Sequence, residues 1–168
     1  MGVHIIDGTI ESLELKRSVM NLRVFREIRF RLRDGGQRTV VKAVTDKDVA
    51  VRLQPGTSGR FYMFEALDQR GVHGVRDDQG HAVFKFPKNN ENAMGIVVLF
   101  SLLWVGAMLY SVQDAPIWGT LILLLGTPYY FYLRNLRGQA KRQFDADSAY
   151  VAAPAASPPV GAEPAVGA

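Results

Sequence analysis

The sequence predicts a small all-β domain, a closed barrel of five to six strands, followed by a two-helix transmembrane hairpin and a disordered tail. Three observations carry this. Residues 3–86 alternate apolar and polar side chains in short runs broken by Gly, Pro and Asp turns. Residues 93–112 and 115–133 are apolar stretches of 20 and 19 residues without Asp, Glu, Lys, Arg or His, near the roughly 20 residues that cross a hydrocarbon core of about 30 Å. From Asp145 onward Ala, Pro, Val and Gly dominate without amphipathic period, the composition of a disordered segment. The domains are thus 1–88, 93–133 and a basic juxtamembrane segment with its tail, 134–168.

In the first domain, residues 6–15 alternate. Residues 24–33 do so more cleanly, with Ile28, Phe30 and Leu32 on one face and Glu27, Arg29, Arg31 and Arg33 on the other. A period of two marks a strand with one wet face. Asp34-Gly35-Gly36 turns the chain and 39–44 returns. Residues 46–53 suit a short helical turn ended by Pro55-Gly56. The aromatic run 59–66, then 72–76 and 82–86, complete a meander through turns at Asp68–Gly71 and Asp77–Gly80. Strands at this spacing, with one helical insertion after the third, fit an OB-like barrel, an SH3-like barrel or a small sandwich. In its parts, the chain is similar to small bacterial membrane proteins that join an OB-type barrel to membrane helices.

In the hairpin, Asn89 to Asn92 offer capping oxygens before the first helix, and Pro116 suits the first turn of the second. Trp118 and Tyr129, Tyr130 and Tyr132 match the aromatic belts of membrane interfaces. Pro128 is expected to bend the second helix. Gly95 and Gly106 in the first helix, and Gly119 and Gly126 in the second, supply small surfaces for helix packing, within the hairpin or between copies. Lys85 and Lys88 precede the spans and Arg134, Arg137, Lys141 and Arg142 follow them, whereas the connecting turn carries one acid and no base. By the positive-inside rule both termini are cytoplasmic. The expected location is a bacterial-type inner membrane. MGVHIIDGTI is no signal peptide, and Ile6 stands where a myristoylation signal has Ser or Thr.

The chain has no cysteine, so disulfides, thiolate metal sites and cysteine nucleophiles are excluded. Of the histidines, His73 and His81 fall on neighbouring strands near Asp77 and Asp78, a loose cation arrangement. Asp in turns commonly bonds its own backbone instead, and neither metal nor cofactor is assigned. Residues 55–59, PGTSG, lack the lysine of a nucleotide-phosphate loop, and Ser58 has no evident base. No catalytic set emerges.

Two groups remain as binding candidates. Arg29, Arg31 and Arg33 share a strand face, a density that suits anionic lipid headgroups, a protein partner or nucleic-acid phosphates. Phe61, Tyr62 and Phe64 are available for stacking, as in single-strand-binding barrels. Residues 1–92 carry 16 basic and 12 acidic groups, a net of +4, which is less lopsided than nucleic-acid binding usually requires. The expected function is a membrane-anchored binding module, an adaptor, scaffold or regulatory subunit held at the bilayer, with a protein partner or self-association. A membrane-tethered single-strand binder is the alternative, and an oligomeric channel the weakest reading, since the helices offer only Ser101, Thr120 and Thr127 as polar groups.

Overall fold

The alternating runs become strands, and the longest of them organises the domain. The computed structural model describes residues 2–112 and 116–150. Its elements are β1 (Gly2–Val19), β2 (Leu22–Leu32), β3 (Gln37–Asp46), α1 (Lys47–Ala50), β4 (Ser58–Glu65), β5 (Arg70–Asp77), β6 (Ala82–Phe84), α2 (Asn89–Ser111) and α3 (Ile117–Ala146).

β1 serves two neighbours. Its first half pairs antiparallel with β4, from Gly2 opposite Glu65 to Thr9 opposite Ser58. Its second half pairs with β2, from Gly8 opposite Leu32 to Val19 opposite Leu22. Register shifts between Ile10 and Ser12 and between Glu14 and Arg17 bend the strand around the domain. β2–β3 and β4–β5 are antiparallel, and β3 meets β5 in parallel through Ala43–Thr45 and Arg70–Val72. The circuit β1-β2-β3-β5-β4 therefore closes on itself as a five-stranded barrel, with β6 added outside β5.

The closure depends on Gly71. A Cβ there would overlap the Val44 carbonyl, so any larger residue forces β3 and β5 apart. Beside it, the buried Thr45 hydroxyl donates to the Val72 carbonyl at 2.7 Å. The barrel interior holds Ile6, Ile10, Phe25, Ile28, Phe30, Phe61, Met63, Val72 and Val75, and Val49 and Leu53 plug it from the α1 segment. The α1 turn is capped by Asp46, whose carboxylate accepts from the Asp48 amide at 3.1 Å.

α2 and α3 pack antiparallel. Gly119 lies against Val105 and Trp104, Gly126 against Val98 and Met94, and Gly95 against Tyr130. Close approach at small residues is how helices associate where water supplies no driving force.

The expectation of two spans requires a correction. Among the described residues one helix, α2, is long and apolar enough to cross a membrane. In α3 the apolar run is diluted by Trp118, Thr120, Thr127, Pro128, Tyr129, Tyr130 and Tyr132, and the helix continues into a charged segment. α2 starts at Asn89 without a side-chain cap, so the asparagines expected as caps lie within its first turn. α3 runs through Pro128 to Ala146, so residues 134–146, expected as a basic juxtamembrane segment, extend the second helix. Residues 145–150, expected to begin the disordered tail, close α3 and contact the barrel. The rest of the tail and the turn at 113–115 lie outside the described residues.

Gly71→Ala is expected to destabilise the full chain in detergent by about 3 kcal/mol or more, because backbone stands where its methyl would go. Chemical denaturation followed by circular dichroism reads this. A midpoint equal to the parent's would mean that β3 and β5 are not joined there.

Candidate functional site

Tyr62, Phe64 and Arg33 reach the outer face of the barrel that the far end of α3 and the residues after it cover. Leu133, Leu136, Ala140 and Phe144 recur at helical spacing and are buried. Leu133, Leu136 and Ala140 form a second apolar core with Phe64, Ala66 and Phe86, flanked by Val3, Phe84, Tyr129 and Tyr132. Phe144 meets Tyr62 edge-on with ring centroids 4.9 Å apart and Phe84 at 5.2 Å. The Arg76 guanidinium lies over its other side, 4.2 Å from the centroid. Gly74 makes room for that ring, since a Cβ there would stand 2.8 Å from it. Each large side chain so buried contributes on the order of 1.5–3 kcal/mol.

Beyond the end of α3 the contact turns polar. Asp147 accepts from Arg60 at 2.7 Å and from the Tyr62 hydroxyl. Arg60 also reaches Asp7 at 3.2 Å, and Asp7 accepts from Arg33. Arg33 donates to Asp78 at 2.8 Å and to the Tyr150 hydroxyl at 2.7 Å, and that hydroxyl reaches Asp78 at 2.9 Å. The Tyr150 ring lies 4.3 Å beneath the Arg60 guanidinium. Burial pushes the Tyr62 phenol well above its ordinary range, helped by its bond to Asp147. Burial works to raise the Asp147 carboxyl as well, but the bonds from Tyr62 and Arg60 outweigh it and leave it below the usual range.

Several buried polar atoms here lack hydrogen bonds among the described residues: both ring nitrogens of His73, Arg76 Nε, the Tyr132 hydroxyl and Gln143 Oε1. His73 sits fully buried among Tyr62, Phe64, Phe84 and Phe86, at centroid distances of 5.7 to 6.3 Å. Burial pushes its pKa down to about 3, opposed only in part by the nearby Ala140 backbone. At the other end of the interface, buried Glu91 of α2 pairs with Arg137 of α3 at 3.0 Å.

The structure separates the candidate arginines. Arg29 pairs with Glu27 and Arg31 with Glu11, both as exposed pairs on the outer face of β2, each worth little to stability. Arg33 belongs to the network around Tyr150. The aromatic candidates divide as well: Phe61 points into the barrel core, 5.0 Å from Phe30, and Tyr62 and Phe64 lie beneath α3. Gly95, Gly119 and Gly126 face the partner helix of the hairpin, and Gly106 faces open space among the described residues.

His4 lies beside Arg38, 3.1 Å from its guanidinium. Asp77 receives the His81 amide at 2.8 Å and the His81 ring at 2.9 Å, closing the turn, and His73 lies apart in its aromatic cage. No group of three or more metal-ligating side chains occurs among the described residues. PGTSG is a turn bound to β1, through Gly56 to the Ile10 carbonyl at 2.8 Å and Thr9 to Ser58 at 2.6 Å.

Sequence reasoning missed Phe144, Asp147, Tyr150 and the Glu91–Arg137 pair. The spacing of Leu133, Leu136, Ala140 and Phe144 was the available signal for a docked helix. The acid–base partners, far apart in sequence, had none.

His73→Phe is expected to stabilise the docked helix by about 1–2 kcal/mol, because it removes a buried polar group without partners. Thermal unfolding reads this, and a large loss of stability would show that the imidazole is bonded after all. Acid should loosen the docked end. A histidine with a lowered folded-state pKa destabilises the fold as pH falls from about 6.5 towards 3, and the lowered His4 acts in the same direction. Asp147 adds to the loss below its ordinary value near 3.8. Limited proteolysis near residue 144 should therefore accelerate below pH 6, and less so in His73→Phe.

Arg137→Ala is expected to cost about 3 kcal/mol by stranding a buried carboxylate. Glu91→Gln with Arg137→Met should cost clearly less, measured by the same unfolding assay.

Compared with known proteins, the chain matches no family model, no curated protein and no solved structure.

Proposed function

We propose that the protein is a membrane-anchored binding module: an adaptor, scaffold or regulatory subunit of a bacterial-type inner-membrane assembly, acting through a cytoplasmic barrel. The observation that carries this is the apolar surface of α2. Phe100, Leu103 and Tyr110 are exposed there at 74, 63 and 92 %, and no Asp, Glu, Lys, Arg or His interrupts residues 92–112. Exposed apolar area of this extent needs a cover, and a helix of 23 residues, about 34 Å long, matches the thickness of a bilayer core.

The docked end of α3 supports a return crossing. α3 pairs antiparallel with α2, and its far end lies on the barrel, which sits at the start of α2. If α2 crosses, α3 returns beside it, with Gly119 and Gly126 set against α2 and Ile117, Leu124 and Leu125 outward. Both termini then share the cytoplasmic side, as the lysines and arginines flanking the helices require. The order of the barrel circuit, with β3 parallel to β5, supports an OB-type domain over an SH3-like one. Single-strand binding loses support because the aromatic rings of β4 are buried.

The full chain is expected to stay with membranes through alkaline carbonate extraction. Phe100→Lys with Leu103→Lys should release it or block insertion, since each lysine at mid-helix costs about 3 kcal/mol. A wild-type chain recovered wholly in the soluble fraction would overturn the anchoring.

A further inference from the structure

The turn at the tip of β1–β2 is built against local preference. Val19 pairs with Leu22, so the loop is two residues, Met20-Asn21, and Met20 holds φ 47°. A two-residue hairpin turn with positive φ at its first position favours glycine there, and a bulky side chain in that region is strained. Met20 is also 88 % exposed.

Beside the tip lies a groove of about 500 Å³ between the hairpin and α1. Its floor is Phe25 and Leu53 of the barrel core with the half-buried Leu13 and Ala50. Its walls are Leu15 and Val51, exposed at 51 and 66 %. The Asn21 carbonyl, accepting the Lys47 amide at 2.8 Å, ties the tip to the groove.

The rim is basic. Asp48 is neutralised by Lys85 at 3.1 Å, and Arg26 is taken by Glu14 at 3.0 Å. Of the lining bases, Arg23 bonds the neutral Ser18 hydroxyl and Lys47 bonds no side chain, and neither forms an ion pair among the described residues. An apolar floor lined also by Arg23 and Lys47, two bases without a carboxylate partner among the described residues, is complementary to an apolar segment flanked by acids.

We infer that the groove between the β1–β2 tip and α1 docks an apolar, acid-flanked segment of a protein partner. The inference rests on the reading of the barrel as a binding module and gives that module its contact surface. A concave floor receives discrete side chains, which favours a polypeptide over the broad face of a bilayer.

The test is a photo-crosslinking amino acid at position 51 of the full chain in native membranes, with a second probe at position 29. The expected result is a protein adduct at position 51 whose mapped peptide is apolar with neighbouring Asp or Glu. Its yield should fall at least tenfold in Arg23→Glu with Lys47→Glu. It should fall likewise in Leu15→Ser, which removes an exposed wall of the groove and leaves the melting temperature near the parent's.

An adduct only to phospholipid, only to a second copy, or indifferent to charge reversal would overturn the inference. A protein adduct at position 29 with none at 51 would overturn the groove and leave the binding module standing. No protein adduct at either position, from a chain shown to be in the membrane, would overturn both.

Discussion

The two long helices are held to the barrel by the packing of the last turns of α3 on its outer face. Leu133, Leu136 and Ala140 bury the aromatic surface of β4 to β6, and Phe144 fits over Gly74, where any side chain would hold it off. Because α3 continues unbroken from the hairpin into this contact, the barrel's attachment to the helices does not rest on the short link from Phe84 to Asn89 alone. A helix of 30 residues, about 45 Å long, acts as a strut between the two parts.

The contact differs in kind from the barrel interior. Inside, the residues are apolar and close-packed. Under α3, by contrast, His73, Arg76, Tyr132 and Gln143 bury polar atoms without partners among the described residues. Such atoms weaken an interface relative to an apolar one of the same area. The network of Arg33, Arg60, Asp7, Asp78, Asp147 and Tyr150 works the other way, using charge-assisted bonds to hold the end of the helix. Such bonds are directional, so they fix where the helix ends.

That network also changes what the arginines mean. A row of arginines on a strand suggests a surface for anions, yet Arg29, Arg31 and Arg33 each meet a carboxylate. Arg23 and Lys47, near the β1–β2 tip and on α1, are among the basic groups without a carboxylate partner in the described residues, away from the row that alternation made conspicuous.

The sequence by itself determined the strands, the turns, the inward set Ile28, Phe30 and Leu32, and the apolar stretch of α2. These are local matters, set by a period of two, by Gly, Pro and Asp at turns, and by length without charge. It also made Gly95, Gly119 and Gly126 legible as close-approach positions, whereas Gly106 faces open space. Only the tertiary structure decided which strands neighbour each other, since β3 meets β5 across 24 residues from Thr45 to Arg70 and no local rule encodes that pairing. The same holds for the burial of Tyr62 and Phe64 under α3, the partners of each arginine and the second role of residues 133–147. Each depends on side chains brought together from distant points of the chain, where complementarity of shape and charge, rather than periodicity, selects the partner.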